Sequence, residues 1–204
     1  MPTTIKGVHC RSLRVLERVL AEWVKMNIRI AQEWQGNDVP WWYNERASLS
    51  VLAGAVWLAR GVAFEEFVAD KRTGQKRRPM YPGRNDLYLK IGRHEFIAEA
   101  KWSWSGAVRV SDRTADHIQQ NLDQACADVR KCPRDGQRKL GVVFATPYIA
   151  RSEKKRVDQR IDEWVTTLKR VDYSCSAWVF PKDSRQFSGT ESICPGAAVL
   201  IREV

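Results

Sequence analysis

Long apolar runs and metal-binding cysteine patterns are both missing from this chain of 204 residues. No stretch stays apolar over the roughly 18 residues that a membrane-spanning helix needs, and the N-terminus has no apolar run ahead of a small-residue cleavage site. The five cysteines are scattered and odd in number, without a CxxC or Cys/His spacing, which excludes the common zinc-site patterns. We therefore expect a cytoplasmic protein with reduced thiols and no membrane partner.

Several catalytic and nucleotide-binding motifs are missing as well. The sequence has no Walker loop, no GxGxxG or GxSxG motif and no internal repeat. The three histidines, His9, His94 and His117, lie far apart in the sequence and fit ordinary surface or turn positions better than a metal site. The chemistry of this chain must therefore come from other residues.

Positive charge is in clear excess. Lys and Arg number 34 against 24 Asp and Glu, which gives a net charge of +10 and a pI near 9.6. This charge favours a polyanionic partner, with nucleic acid as the leading candidate. The net charge supports a nucleic acid partner only if the basic residues lie beside a functional site.

Hydrophobic periodicity predicts four helices and six strands. The helices cover residues 12–35, 44–60, 112–130 and 152–168. The second of them is predicted to close on Gly61, the residue type favoured just after a helix end. The strands cover residues 62–69, 86–91, 95–102, 140–146, 173–180 and 197–203.

The order of these elements predicts an α/β (α+β) fold with a mixed central sheet flanked by helices. Hydrophobic residues at 44% and charged residues at 28% are typical of one globular domain, so residues 1–204 are taken as a single domain. Within it, residues 44–147 form an α-β-β-β-α-β core. Residues 1–43 form an N-terminal helical extension, and residues 148–204 form a C-terminal helix and strands.

A two-residue loop, 92–93, joins the second and third strands of this core. Its glycine can take the positive φ that a tight hairpin demands, which fixes the register of the two strands. Pairing Ile91 with His94 brings apolar residues opposite apolar ones. Continuing the count predicts that Asp86 lies directly opposite Glu99.

Side-chain alternation then places Asp86, Glu99 and Lys101 on the face opposite to the apolar one. Two opposed carboxylates are unfavourable unless a cation, a proton or a basic side chain neutralises them. A hard divalent cation such as Mg²⁺ or Mn²⁺ suits two carboxylates, waters and a substrate phosphate. In the alternative interpretation the acids lie on a solvated face and Lys101 neutralises one of them.

The segment GRNDLYL, followed after twelve residues by EAK, resembles the Asp…(Asp/Glu)-x-Lys signature of the PD-(D/E)XK, or restriction-endonuclease-like, nucleases. The resemblance covers about residues 44–146. Asn85 stands where the family name has proline, a position that varies among members. The helix that follows carries Gln119, Gln120 and Gln124 but no Gln-x-x-x-Tyr pattern, so the exonuclease-like branch is not supported.

The resemblance implies that Asp86 and Glu99 bind Mg²⁺ or Mn²⁺, that the carbonyl of Ala100 is a further ligand, and that Lys101 positions or activates the attacking water. Glu45 stands where many members carry an additional metal-binding acid. In the alternative interpretation, Glu45 is simply an acidic residue at a helix N-terminus, a position that the helix dipole favours.

The function that follows is an endonuclease cleaving DNA, most naturally double-stranded DNA, and double-strand cutting would favour a homodimer. The alternatives are a nucleic-acid-binding module without catalysis and a regulatory protein that retains the fold.

Residues 71–84 form a basic loop that joins the first strand to the second and is therefore expected close to Asp86. Its cations are candidate phosphate contacts, with a solubilising hairpin loop as the alternative. These cations are Lys71, Arg72, Lys76, Arg77, Arg78 and Arg84.

Nine tryptophans are many for this length. Trp41, Trp42 and Trp104 fall in expected loops near the acidic hairpin. They either stack on bases or close a small core or a dimer interface, and we favour the second interpretation.

Overall fold

A mixed sheet with helices on both faces organises the chain. The computed structural model describes residues 3–71, 81–107, 112–132, 136–186 and 191–204. The helices are α1 (Glu17–Glu33), α2 (Glu45–Leu58), α3 (Asp112–Arg130) and α4 (Val157–Leu168). The strands are β1 (Ile5–Cys10), β2 (Val62–Lys71), β3 (Tyr81–Ile91), β4 (His94–Gly106), β5 (Arg138–Ala150), β6 (Cys175–Phe180), β7 (Ser192–Ile193) and β8 (Ala197–Glu203).

The eight strands follow the order β1-β6-β8-β5-β4-β3-β2, with β7 paired to β5. β4 and β5 run parallel, and the other pairs are antiparallel. A parallel pair needs a long crossover connection, and α3 supplies it between β4 and β5. The predicted fold class, the mixed sheet and the α-β-β-β-α-β element order are confirmed.

Two cores lie on the two faces of the sheet. α1 and α2 cover one face, and α3 and α4 cover the other. The hairpin residues predicted to form the apolar face all belong to the first core or pack against it, which confirms the side-chain alternation. They are Leu87, Leu89, Ile91, Phe96, Ala98, Ala100 and Trp102.

The ends of α2 are defined by its flanking residues. The side chain of Asn44 accepts a hydrogen bond from the amide of Ala47 at 3.1 Å, as an N-cap residue does. At the other end Arg60, the residue before the predicted closing glycine, takes the left-handed conformation with φ +67°. Gly61 is required for space instead, because a Cβ there would lie 2.6 Å from the carbonyl oxygen of Lys90.

The hairpin formed by β2 and β3 is longer than predicted. Their ladder runs on from Phe67↔Asn85 to Lys71↔Tyr81. Residues 71 and 81–84 are therefore strand rather than loop.

The strands β1 and β7 were not predicted from the sequence. β1 lacks strict alternation of apolar and polar side chains, and β7 has only two residues. Within the described ranges, no helix combines the length and the apolar character needed to cross a membrane.

Candidate active site

The site lies where β3 and β4 separate. Their ladder pairs Ile91 with His94 and ends at Leu87↔Ala98, which confirms the register predicted from the two-residue loop. Gly92 has φ +57°, the positive value that such a turn requires. Beyond this point β4 pairs with β5 as far as Gly106, whereas β3 stays with β2. We call this divergence, lined by Asp86 and residues 99–101, the strand fork.

Asp86 closes the base of the strand fork. Its Oδ2 accepts a hydrogen bond from the backbone amide of Ala100 at 2.7 Å. Extending the ladder register would pair Ala100 with Asn85, so the carboxylate takes the place of a backbone partner. The ladder therefore ends one position before the predicted pair of Asp86 and Glu99.

The strand is distorted at the same level. Leu87 packs in the core covered by α1 and α2, whereas Asn85, of the same parity, donates from Nδ2 to the Sγ of Cys132 at 3.1 Å, just beyond α3. The regular alternation of β3 is therefore broken at Asp86. On β2, Glu66 falls opposite Asp86 by the ladder register and has φ +48°. A non-glycine residue in this region is strained, and such residues cluster at functional sites.

The backbone of Ala100 also faces the strand fork. In a strand, the N–H and C=O of one residue point to the same side. Since the amide of Ala100 reaches Asp86, its carbonyl is directed to the same side. The predicted ligand atom of Ala100 thus points to the side of β4 on which Asp86 lies.

Glu99 and Lys101 lie on the β4 face that carries Ile97, which packs with residues of the α3 region. Glu99 is buried, with 4% of its surface exposed. The Nζ of Lys101 lies 3.2 Å from Oδ2 of Asp128 on α3. Lys101 is thus held by a carboxylate that the sequence did not reveal as part of the site.

Three side chains donate hydrogen bonds to the carboxylate of Asp128. Burial raises its pKa, but hydrogen bonds from Lys131, Gln124 and Lys101 outweigh burial and lower the pKa to about 2. Asp128 is therefore ionised at neutral pH. Gln124 donates to its Oδ1 at 3.0 Å, so one of the glutamines noted on this helix is connected to the site. The i, i+4 spacing of Gln124 and Asp128 was the available sequence signal.

Glu45, at the start of α2, is electrostatically coupled to the strand fork. Burial, together with the negative charges of Asp86 and Glu99, raises the pKa of this carboxyl to about 7, against the lowering effect of Lys101. A helix dipole acting alone would favour the ionised form. The raised pKa shows that burial and acidic neighbours dominate, so four of the predicted residues form one charge cluster.

A divalent cation would suit the chemistry of this donor set. Glu45, Asp86, Glu99 and the carbonyl of Ala100 offer only oxygen, the atom that Mg²⁺ and Mn²⁺ prefer, and burial together with Asp86 and Glu99 raises the pKa of Glu45. Among the residues that the structure describes, no group of three or more His, Cys, Asp or Glu is already arranged to hold a metal ion. The acids are therefore coupled without forming a closed ligand shell.

The predicted basic loop is placed differently. Arg84 lies on β3 two residues from Asp86 and is paired with Glu66 at 3.1 Å. Lys71 pairs with Tyr81 at the far end of the hairpin, about 17 Å along the strand from Asp86 at roughly 3.3 Å per residue. The prediction that Lys71 lies close to Asp86 is therefore wrong. The other four predicted cations, Arg72, Lys76, Arg77 and Arg78, lie outside the described residues.

Arg46 is a cation that sequence reasoning missed. It follows Glu45 in α2 and lies 2.7 Å from Oε1 of Glu66. Glu66 thus joins Arg46 and Arg84, both with largely exposed side chains, beside the strand fork.

Comparison of the chain with protein-family models, with curated proteins and with solved structures finds no match. The chemistry of the strand fork is therefore the basis for assigning a function.

Proposed function

We propose that this protein is a metal-dependent endonuclease of the PD-(D/E)XK type that hydrolyses phosphodiester bonds of DNA. The observation that carries the proposal is the strand fork itself. There Asp86 binds the amide of Ala100, between Glu99 and Lys101, and Glu45 is charge-coupled to all three ionisable residues. This arrangement supports the interpretation suggested by the sequence signature, since a solvated acidic face would not bury Glu99.

Glu45, Asp86, Glu99 and the carbonyl of Ala100 would hold Mg²⁺ or Mn²⁺. When bound, the cation lowers the pKa of water and stabilises negative charge on the phosphate. The amide of Ala100 fixes one oxygen of Asp86 and so limits how that carboxylate can rotate. Lys101, restrained by Asp128 at 3.2 Å, would orient the attacking water through its ammonium group.

The charge of the molecule fits a nucleic acid substrate. The net charge is +10, and the exposed cations Arg46 and Arg84 lie beside the strand fork. Contacts of this kind bind phosphates without reading sequence. Double-stranded DNA is the proposed substrate, and cutting both strands would favour a homodimer that matches the twofold symmetry of the substrate.

Cleavage assays with separate metals test the proposal. Supercoiled plasmid, single-stranded DNA and RNA would each be incubated with the wild-type protein in Mg²⁺, Mn²⁺ or EDTA. We expect nicking or linearisation of plasmid in Mg²⁺ or Mn²⁺, none in EDTA, and loss of cleavage in Lys101→Ala. Cleavage that persists in EDTA, or undiminished cleavage by a purified Lys101→Ala protein, would contradict the proposal.

A second candidate is a nucleic-acid-binding protein without catalysis. It is favoured by the lack, among the described residues, of three acids already arranged around one metal position, and by the pairing of Lys101 with Asp128. Salt-dependent DNA binding without cleavage in either metal would support this alternative over the nuclease.

A further inference from the structure

A cleft of about 530 Å³ lies beyond the strand fork, where β4 ends. This volume is in the range of about 300–1,000 Å³ that is usual for ligand sites. Two aromatic residues, Trp104 and Tyr148, and two residues of α3, Arg113 and His117, are among those that line it. Unlike the acidic strand fork, the cleft combines exposed rings with a permanent cation.

The two aromatic residues are held in place while they remain accessible. Trp104 is 45% exposed and Tyr148 is 42% exposed. The indole of Trp104 rests edge-on against Trp102, with ring centroids 4.9 Å apart. The ring of Tyr148 lies over Gly106, where a Cβ would come within 3.0 Å of its hydroxyl oxygen. Gly106 thus leaves the space that this ring occupies.

Trp104 also borders a second cleft, of about 220 Å³, on the side of Trp42. The indole nitrogen of Trp42 donates to the carbonyl of Cys194 at 3.1 Å, and the neighbouring Trp41 donates to the same carbonyl and is 1% exposed. Trp41 therefore closes the core, as we favoured from the sequence. Trp104, between two clefts, is not explained by that role.

Arg113 and His117 add hydrogen-bond donors and charge beside the rings. They are four residues apart on α3 and so lie on the same side of the helix. Both side chains are exposed. A flat aromatic surface next to a guanidinium matches a nucleotide, whose base stacks on aromatic rings and whose phosphate pairs with arginine.

The cleft lies within reach of the strand fork. Trp104 follows Lys101 by three residues, which is about 10 Å along a strand. That distance corresponds to about three steps of a stacked nucleic acid strand at roughly 3.4 Å each. Alternation places the side chain of Trp104 on the opposite face of β4 from Lys101, but the cleft is also lined by Ser105, which lies on the Lys101 face, and by residues of α3. One nucleic acid strand could therefore occupy the strand fork and the cleft together.

We propose that this cleft binds an unpaired nucleobase of the substrate, stacked on Trp104 and Tyr148 with its phosphate beside Arg113. The identity of the ligand rests on the proposed nuclease function. A fully paired duplex does not present the face of a base, so the site selects DNA with a single-stranded or splayed nucleotide a few positions from the scissile phosphate.

Binding in EDTA separates stacking from charge. Fluorescence anisotropy would compare a labelled 12-nucleotide oligothymidylate with an abasic 12-mer of the same backbone charge. We expect the wild-type protein to bind the oligothymidylate about 5- to 100-fold more tightly, the range that corresponds to one stacked base. Trp104→Ala should abolish this preference, and Trp104→Phe should restore part of it.

Trp57→Ala is the matched control, because Trp57 is an exposed tryptophan, at 52%, on α2. It should keep the wild-type preference. A wild-type protein that binds both oligonucleotides equally, or fails to bind either, would overturn the inference. So would a Trp104→Ala protein that discriminates as well as the wild type.

The two proposals fail in different ways. Metal-dependent cleavage with a base preference that ignores Trp104 would remove the nucleobase site alone. A preference that depends on Trp104, without cleavage in Mg²⁺ or Mn²⁺, would remove the nuclease proposal and leave the nucleobase site.

Discussion

The two halves of β4 share one strand and one alternation of side chains but differ in their neighbours. Residues 94–98 pair with β3, and residues 96–98 pair with β5 as well. Residues 99–106 keep only β5, because β3 has moved away. In the first half Phe96, Ile97 and Ala98 are completely buried. The second half carries Glu99, Lys101 and the exposed Trp104.

The difference shows which part of β4 stabilises the fold and which part is open to a ligand. A strand paired on both sides has its backbone groups satisfied and its side chains packed, which leaves little room for a ligand. Where one neighbour is lost, a carboxylate can replace it, as Asp86 does at the amide of Ala100. We therefore expect substitutions in the first half to affect folding and substitutions in the second half to affect activity.

The largest effect is expected in the first half. Phe96→Ala should lower the free energy of unfolding by about 3–5 kcal/mol, since Phe96 is fully buried and the smaller side chain leaves a cavity. Urea denaturation measures this change. His94→Ala, in the same half but only partly buried, is the control and should cost much less. Equal losses in the two variants would contradict the assignment of Phe96 to the core.

In contrast to Phe96→Ala, Glu99→Gln should lower activity and leave stability almost unchanged. The substitution keeps the shape of the side chain but removes a charge from the proposed metal site, so cleavage should fall by about 100- to 1,000-fold while the thermal midpoint stays close to that of the wild type. Glu95→Gln is the matched control, because Glu95 lies on the same strand and pairs with Lys90 at the surface. Similar cleavage by the two variants would remove Glu99 from the site.

Asp128→Asn tests the contact that reaches Lys101 from α3. Loss of the carboxylate weakens the hold on Lys101, and cleavage should fall by about 10- to 100-fold, as for other residues that orient a catalytic group. The fall should appear in kcat more than in KM, and Asp128→Glu should recover part of it. Asp123→Asn, whose partner is Arg202, is the control on the same helix. A loss confined to KM would assign Asp128 to substrate binding.

The smallest effect concerns Glu45 and pH. Its pKa is raised to about 7 in the folded protein from an ordinary value of 4.5. The folded state therefore binds this proton more tightly than the unfolded state, and stability present below about pH 4.5 is lost as pH rises towards 7. Glu45→Gln should flatten this decline in EDTA. At pH 8 it should gain up to about 1 kcal/mol, after allowance for solvent screening.

Thermal melts of the wild-type protein and of Glu45→Gln at pH 5 and pH 8 measure this difference, with Glu33→Gln, an exposed acid on α1, as the control. Added Mg²⁺ should raise the melting temperature of the wild type at pH 8, because a ligand that binds only the folded state stabilises it. A pH dependence that is identical in wild type and Glu45→Gln would show that Glu45 is not coupled to the strand fork.

Residues close together in the chain account for the local features of the site. A two-residue turn with glycine permits one register, so the pairing of Ile91 with His94 followed from residues next to each other in the chain. Alternation then placed the apolar side chains of β3 and β4 in one core. The element order of the mixed sheet followed from the same periodicities, because helices and strands need different spacings of apolar residues.

The tertiary structure accounts for the features that depend on contacts between distant segments. It ended the ladder before Asp86 and gave that carboxylate the amide of Ala100. It also paired Lys101 with Asp128 across the gap between β4 and α3, and it raised the pKa of Glu45 by burial and by its neighbours. Periodicity describes which face a residue occupies but not what packs against that face. These contacts therefore arise only when α2, α3 and the sheet come together.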